Sequence, residues 1–241
     1  MVRFFAVAAD ISGGSIRLSA EDTEHIRSLR LRPADIFIVC DGEGRDYYCH
    51  LGERGDGSNA EIVETRPSRG EPGVACDVYI ALAKGDRLDY AVQKSIELGA
   101  RKIVVFPSER CVAVPGDMAK KTARLQRIAL ETAKQCGRGR VPEVTAADSY
   151  EAAVGQAAGT ELPLFFYECE EDVHLKQTLE KSGQVSSVSI VTGPEGGFEP
   201  HEAELARAAG MHIVSLGARI LRCETAPAAV LAAVMYQTGN L

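Results

Sequence analysis

The 241-residue chain lacks the features that mark several common classes of protein. It has no run of about 18 apolar residues, the length needed to cross a bilayer. Its first residues lack the basic, apolar and small-residue layout of a secretory leader. We therefore expect a cytoplasmic protein with no membrane segment. An apolar content of 45% is ordinary for a globular protein, so one large domain or two smaller ones could bury a core.

Paired cysteine motifs are also missing. The seven cysteines are odd in number and widely scattered, and none forms a Cys-x-x-Cys motif. This pattern argues against a disulfide framework and against a zinc site. Reduced thiols in a cytosolic protein are the simplest interpretation, and we expect no metal.

The common catalytic and nucleotide-binding signatures are absent as well. The chain has no Gly-x-Ser-x-Gly motif, and no Cys/His pair stands out among its five histidines. A Gly-Pro-Glu-Gly-Gly stretch at 193–197 departs from both the Gly-x-Gly-x-x-Gly fingerprint and the P-loop, and it lies late in the chain. A nucleotide-dependent oxidoreductase is therefore disfavoured.

What is present divides the chain in two. Residues 1–68 are rich in short β patterns, and residues 66–73 have the composition of a linker. From residue 74 to the end, predicted strands and helices alternate. We therefore expect an α/β protein, with a small β-barrel domain over 1–68 and a domain over 74–241 whose parallel sheet is covered by helices.

Two glycine-bearing loops near the carboxy terminus predict a ligand pocket. Each follows a short β-branched run, at 190–191 and at 213–216, which is typical of a buried parallel strand. Ligands bind beyond the carboxyl ends of such strands, and glycine lets main-chain groups approach a ligand closely. Two plainer interpretations stay open: the first loop could be a tight turn only, and Arg219, Arg222 and Glu224 could form a structural ion-pair cluster.

A basic segment interrupts this acidic chain. Residues 101–140 contain ten Lys or Arg and three acidic residues, a balance of +7 in a protein of net charge −7. Within the predicted helix 117–136 and just after it, basic residues lie opposite an apolar stripe. A solvated surface is one interpretation. The neighbouring Arg110 and Arg140 favour the other, a strip that contacts phosphates.

The last predicted helix, residues 226–235, is apolar on every side. A helix of this kind has to be buried, either in the core of its own domain or against a second subunit. Its small alanine side chains allow close helix packing, so we expect a dimer interface there.

Taken in order, the motifs resemble the RsmE-type 16S ribosomal RNA uridine-N3 methyltransferases of the SPOUT superfamily. Two departures from the family pattern, Ala218 and Cys223, affect loop shape rather than a charged group. The matching segments are 25–26, 29–32 with Asp35, Lys84 with 93–99, 108–110, 131–138, 193–198 with Glu202, and 216–226.

The resemblance implies a PUA-like RNA-binding barrel followed by a methyltransferase domain with a carboxy-terminal trefoil knot. It also implies a homodimer, S-adenosylmethionine as the cofactor, and 16S ribosomal RNA or the 30S subunit as the substrate. A SPOUT methyltransferase for another RNA position and a non-catalytic RNA-binding assembly factor are the alternatives.

The resemblance also assigns roles to individual residues. Arg222 would stabilise charge on the uracil, and Glu224, or Glu195 instead, would assist removal of the N3 proton; both carboxylates could equally only brace the loops. The expected cofactor-binding residues are Phe166, Tyr167, Thr192, Gly193, Pro194, Glu195, Gly196, Gly197, Leu216, Gly217, Ile220, Leu221, Arg222, Thr225 and Ala226. The expected RNA-binding residues are Arg3, Arg30, Arg32, Arg110, Lys120, Arg124, Arg127, Lys134, Arg138 and Arg140.

Overall fold

A computed structural model describes residues 1–52, 58–113 and 116–241. The chain forms two compact units. The first unit contains Met1–Glu71 and Glu131–Val141, and the second contains Pro72–Leu130 and Pro142–Leu241. A segment from the middle of the sequence therefore belongs to the unit that is otherwise built from the amino-terminal part.

The first unit contains a mixed six-stranded sheet in the order β1-β4-β5-β6-β3-β2. Strands β1 and β4 are parallel, and the other neighbours are antiparallel. Its core is built on the fully buried Phe4, Ile16 and Phe37. The elements are β1 Arg3–Phe5, β2 Ile11–Ser12, β3 Ser15–Arg17, α1 Ala20–Ser28, β4 Phe37–Cys40, β5 Arg45–Leu51 and β6 Asn59–Pro67.

Helix α1 begins at a side-chain cap. The Ser19 side chain accepts a hydrogen bond from the Asp22 N–H at 3.0 Å, so it satisfies one of the free donors of the first turn. Ile26 is buried on the inner side of this helix. The helix therefore covers part of the core of the first unit.

The second unit alternates strands and helices around a six-stranded sheet in the order β12-β10-β11-β7-β8-β9, and all of its strands are parallel. Its elements are β7 Ala75–Ala81, α2 Arg87–Glu97, β8 Lys102–Phe106, α3 Met118–Cys136, β9 Glu143–Ala146, α4 Tyr150–Ala157, β10 Leu162–Phe166, α5 Leu175–Ser182, β11 Ser187–Thr192, α6 Pro200–Ala208, β12 His212–Val214 and α7 Ala226–Gln237. The last residues of α3 belong to the first unit.

Helices cover both faces of the parallel sheet. Helices α2 and α7 pack on one face, and α4 packs on the other, where Tyr150 meets Phe165 and Phe198 in an aromatic cluster. Burial on both sides explains the uninterrupted apolar runs of β10 and β11. The α/β class, with a β-rich first unit followed by a parallel sheet, is confirmed.

Helix α7 buries only part of its surface within a single chain. Val230, Leu231 and Val234 are fully buried, whereas Ala229 is exposed and Tyr236 is 75% exposed. The apolar sequence therefore has one face in the core of the second unit and one face that this unit does not cover. No helix of the described residues is both long and apolar enough to cross a membrane.

Candidate active site

A cavity of about 530 Å³ opens at the carboxyl ends of β10, β11 and β12. Three stretches of chain line it, 166–168, 192–197 and parts of 214–226, and Arg87 joins them from α2. Because each stretch follows one of three strands that are neighbours in the sheet, the topology brings them together. We call residues 192–197 the first loop and residues 215–224 the second loop.

The lining contains nearly all of the residues predicted for this site. Every predicted cofactor-binding residue lines the cavity except Thr225, which is exposed and forms no side-chain cap on α7. The three predicted catalytic residues, Arg222, Glu224 and Glu195, all line it. Arg87 also lines the cavity but was not among the predicted residues, although it lies just beyond β7, the neighbour of β11 in the sheet.

The end of the first loop strongly favours glycine. Gly197 has a φ of +72°, and a Cβ there would lie 1.6 Å from Oε1 of Glu168. The same carboxylate accepts the Phe198 N–H at 3.1 Å, and Phe198 is buried against Phe165. Since Phe198 is anchored in the core and Glu168 follows β10, the two strand ends hold the loop from both sides.

Glu195 ties the first loop to the start of α2. Its Oε1 accepts hydrogen bonds from the Lys84 N–H and from the Arg87 guanidinium, both at 2.9 Å. Burial alone would raise the pKa of Glu195, but these hydrogen bonds outweigh it, and the pKa is lowered. The carboxylate is therefore ionised at neutral pH, and its Oε2 has no hydrogen-bond partner among the described residues.

Arg110 braces the first loop from outside. Its Nε lies 2.6 Å from Oε1 of Glu199, and its NH1 donates to the carbonyl of Gly196 at 3.3 Å. A Cβ on Gly196 would lie 2.9 Å from the Cβ of Arg110. This arginine, which was predicted to bind RNA, therefore already has a role within the protein.

The second loop leads from β12 into α7. Gly217 has a φ of +93°, and its N–H donates to Oγ of Ser215 at 3.2 Å. Near the other end, the Cys223 thiol lies 3.2 Å from Oε2 of Glu224. Burial raises the pKa of Cys223 to about 12, so the thiol keeps its proton and acts as a donor to this carboxylate.

The arginines of the second loop are not part of an ion-pair cluster. Arg219 and Arg222 are exposed, and neither has a carboxylate within 4.0 Å among the described residues. Ile220, between them, is 77% exposed. Among the described residues, Arg219 and Arg222 therefore form no ion-pair cluster with Glu224.

Three of the predicted RNA-binding residues lie in buried ion pairs within the first unit. Their side chains are 5–13% exposed, and each charge is already paired away from solvent, which disfavours a role in binding RNA. The pairs are Arg3 with Asp46, Lys134 with Asp22, and Arg138 with Glu71.

The other predicted basic residues are on the surface. Arg32 and Lys120 have side chains that are 86% and 87% exposed. Arg30, Arg127 and Arg140 are also exposed, whereas Arg124 pairs with Asp89. Among the described residues, no cluster of His, Cys, Asp or Glu side chains could hold a metal ion.

Known proteins share the sequence pattern and the fold of this chain. A family model described as an RNA methyltransferase domain matches residues 71–235. Ribosomal RNA small subunit methyltransferase E of Synechocystis is 35% identical over 86% of this chain and 68% of its own length. The Bacillus subtilis protein of the same name is 33% identical over 93% of this chain and 91% of its own.

A solved structure agrees with these sequence matches. The ribosomal RNA small subunit methyltransferase E of Neisseria gonorrhoeae, crystallised with S-adenosyl methionine, superimposes with a TM-score of 0.87 at 30% identity. The match covers 98% of this chain and 97% of that protein. The fold and the loop-lined cavity thus define a domain of the RNA methyltransferase class. The chain belongs to the ribosomal RNA small subunit methyltransferase E family.

Proposed function

We propose that this protein transfers the methyl group of S-adenosylmethionine to N3 of a uridine in the 16S ribosomal RNA of the small subunit. The observation that carries the proposal is the loop-lined cavity, in a chain that shares its fold with a relative bound to S-adenosyl methionine. The names of the relatives support small-subunit ribosomal RNA as the substrate.

The cavity fits this cofactor in size and in chemistry. A volume of about 530 Å³ lies within the usual range for ligand sites. A Cβ on Gly217 would meet nothing within 4 Å, so the second loop leaves open space beside its main chain. The carboxylates of Glu168, Glu195 and Glu224 line the same cavity and suit a ligand with positive groups. When bound, the cofactor supplies a methyl group on an electrophilic sulfonium.

The chain's own task is then to align the uracil and to manage the charge of its N3 proton. Arg222 stabilises the negative charge that develops on a uracil oxygen, and Glu224 accepts the N3 proton. Glu195 is a positioning residue, because Lys84 and Arg87 already occupy one of its oxygens. N3 lies on the Watson–Crick edge, so the target base has to be unpaired or splayed out.

Single substitutions test these assignments. Arg222→Gln and Glu224→Gln should each lower kcat by about 100-fold, the usual effect of losing an electrostatic or proton-transferring group. Calorimetric binding of S-adenosylhomocysteine, the demethylated cofactor, should stay near the wild-type value for Glu224→Gln. Methylation at the wild-type rate by both variants would refute the catalytic roles.

Two further measurements test the function itself. Deleting the gene should remove an N3-methyluridine from small-subunit RNA, as detected by mass spectrometry. Failure of the wild-type protein to bind S-adenosylmethionine or S-adenosylhomocysteine would favour a non-catalytic RNA-binding factor. Loss of a methyl group elsewhere in RNA would instead support a related methyltransferase with another target.

We also propose how the two units share the work. The first unit would be a PUA-like RNA-binding domain that uses exposed residues such as Arg30 and Arg32, and the second would hold the cofactor in a trefoil knot. Lys120 and Arg127 on α3 would add contacts with phosphates. Such a protein would act in the cytoplasm, where the small subunit is assembled.

A homodimer is the proposed assembly. Helix α7 is apolar from Ala226 to Met235, yet Ala229 in this run and Tyr236 just after it are exposed in the single chain. Covering this face with a second copy would bury apolar surface that the second unit leaves in contact with solvent.

A further inference from the structure

The cavity is lined by two exposed arginines that have no carboxylate partner in the part of the chain that the structure describes. Arg87, which also lines the cavity, forms an ion pair with Glu195. Arg219 and Arg222 line it too, but no carboxylate lies within 4.0 Å of either among the described residues. Two unneutralised guanidinium groups three residues apart form a site where an anion would bind favourably.

Ile220 lies between these arginines and is 77% exposed. A single exposed apolar residue is common on protein surfaces and needs no explanation by itself. This one, however, lines the cavity, on a turn that begins at Gly217 with a φ of +93°. The turn therefore places the exposed Ile220, followed by the partly buried Leu221, between two cations that line the candidate active site.

We propose that the turn 219–222 is the surface that receives the target nucleotide. Arg219 binds a backbone phosphate beside the target uridine, and the Ile220 side chain packs against the face of the splayed-out uracil. The inference rests on the proposed methyl transfer to RNA. It leaves the main chain of this turn as part of the cofactor site but reassigns the Ile220 side chain to the substrate.

Charge favours a nucleotide over a second protein copy as the occupant. A twofold interface formed by this turn would bring the arginines of both copies near one another, and like charges there oppose association. A nucleotide complements the turn, because its phosphate can pair with an arginine guanidinium and the apolar face of its base can pack against Ile220. Guanidinium also matches phosphate geometry better than ammonium does.

The test compares Arg219→Gln and Ile220→Ala with Lys181→Gln. The control removes one positive charge from an exposed position on α5, outside the cavity. Each variant is assayed for KM and kcat with ribosomal RNA at several salt concentrations, for S-adenosylhomocysteine binding by calorimetry, and for oligomeric state by light scattering. These readouts separate substrate, cofactor and interface effects.

Arg219→Gln should raise KM for RNA about tenfold at low salt and lower the slope of log KM against log salt by about one, as expected for one lost phosphate contact. Ile220→Ala should lower kcat/KM about tenfold, because it removes most of the apolar contact with the base. Both should bind S-adenosylhomocysteine as the wild type does, and Lys181→Gln should match the wild type throughout.

Three results would overturn the inference. If Ile220→Ala weakens S-adenosylhomocysteine binding by the same factor as it lowers activity, the Ile220 side chain contacts the cofactor and not the uracil. If the wild type is a dimer and either variant is a monomer, the turn would instead be an interface between copies. Unchanged KM and kcat in both variants would show that RNA does not contact it. A wild-type protein with neither cofactor binding nor methylation would refute the proposed function instead.

Discussion

Arg87 and Glu195 are 108 residues apart in the sequence, yet the Arg87 guanidinium lies 2.9 Å from Oε1 of Glu195 at the wall of the cavity. The Lys84 N–H donates to the same oxygen at 2.9 Å. The start of α2 therefore holds the first loop in place. The Arg87–Glu195 contact joins the segments that follow the carboxyl ends of β7 and β11, and both residues line the cavity. Its loss should therefore affect cofactor binding and stability together.

Arg87→Gln should weaken S-adenosylhomocysteine binding several-fold and lower the melting temperature near neutral pH. The folded protein lowers the pKa of Glu195, so the pair stabilises the fold above the unfolded-state pKa, about 4.3, and this contribution disappears as the pH falls through the lower folded value. The difference in Tm between wild type and variant should therefore shrink from pH 6 to pH 3. Thermal unfolding across that range measures it.

The control for this pH series is Lys176→Gln. Lys176 pairs with Glu180 on the exposed side of α5, so its loss should change Tm little at any pH. A Tm difference for Arg87→Gln that is constant from pH 6 to pH 3 would contradict the role given to Glu195.

Gly197→Ala should destabilise the protein more than Gly210→Ala does. Gly210 also has a positive φ, +91°, but a Cβ there would meet nothing within 4 Å. Its substitution isolates the backbone cost of about 1–2 kcal/mol. At Gly197 the new Cβ would also collide with the Glu168 carboxylate. Urea unfolding gives the two free energies, and only Gly197→Ala should lose S-adenosylhomocysteine binding; wild-type affinity in that variant would disprove the clash.

The sequence predicts the pocket well because its determinants are local. The glycines of both loops follow recognisable strands, and parallel strands place such loops together at their carboxyl ends. Gly193 and Gly217 could therefore be assigned to the pocket without coordinates. Arg87 could not, since nothing near it in sequence indicates a partner 108 residues away. Helical spacing likewise put Arg138 on a basic face but could not show that Glu71, 67 residues earlier, neutralises it.

Arg138→Gln should cost about 3 kcal/mol of unfolding free energy. The Arg138 side chain is 5% exposed, and its partner Glu71 also accepts the N–H groups of Gly139 and Arg140. Removing the cation leaves a largely buried carboxylate without its counter-charge, which is a costly change. Arg66→Gln breaks a half-exposed pair with Glu64 and should cost much less unfolding free energy. Equal losses in urea unfolding of the two variants would rule out this account.

The thiols should differ widely in reactivity. Burial raises the pKa of Cys49, Cys76 and Cys223 to about 12, whereas Cys169 is exposed. Because the thiolate is the reactive form, iodoacetamide at pH 8 should modify Cys169 first and leave the three buried thiols intact. Peptide mass spectrometry over time follows each site, and all seven cysteines should react in urea. Modification of Cys223 as fast as Cys169 in the folded protein would show that the second loop opens.

Ala229→Glu should convert a wild-type dimer into a monomer that is still folded. Ala229 is exposed on α7, so in an isolated chain a glutamate there would point into solvent and cost little. In a twofold dimer formed through this face, each copy would instead bury an unpaired carboxylate, and the interface would lose several kcal/mol. Light scattering gives the mass and circular dichroism the fold, with Ala208→Glu on the exposed side of α6 as the matched control. A wild-type monomer, or an Ala229→Glu variant that stays dimeric, would mean that α7 does not form the interface.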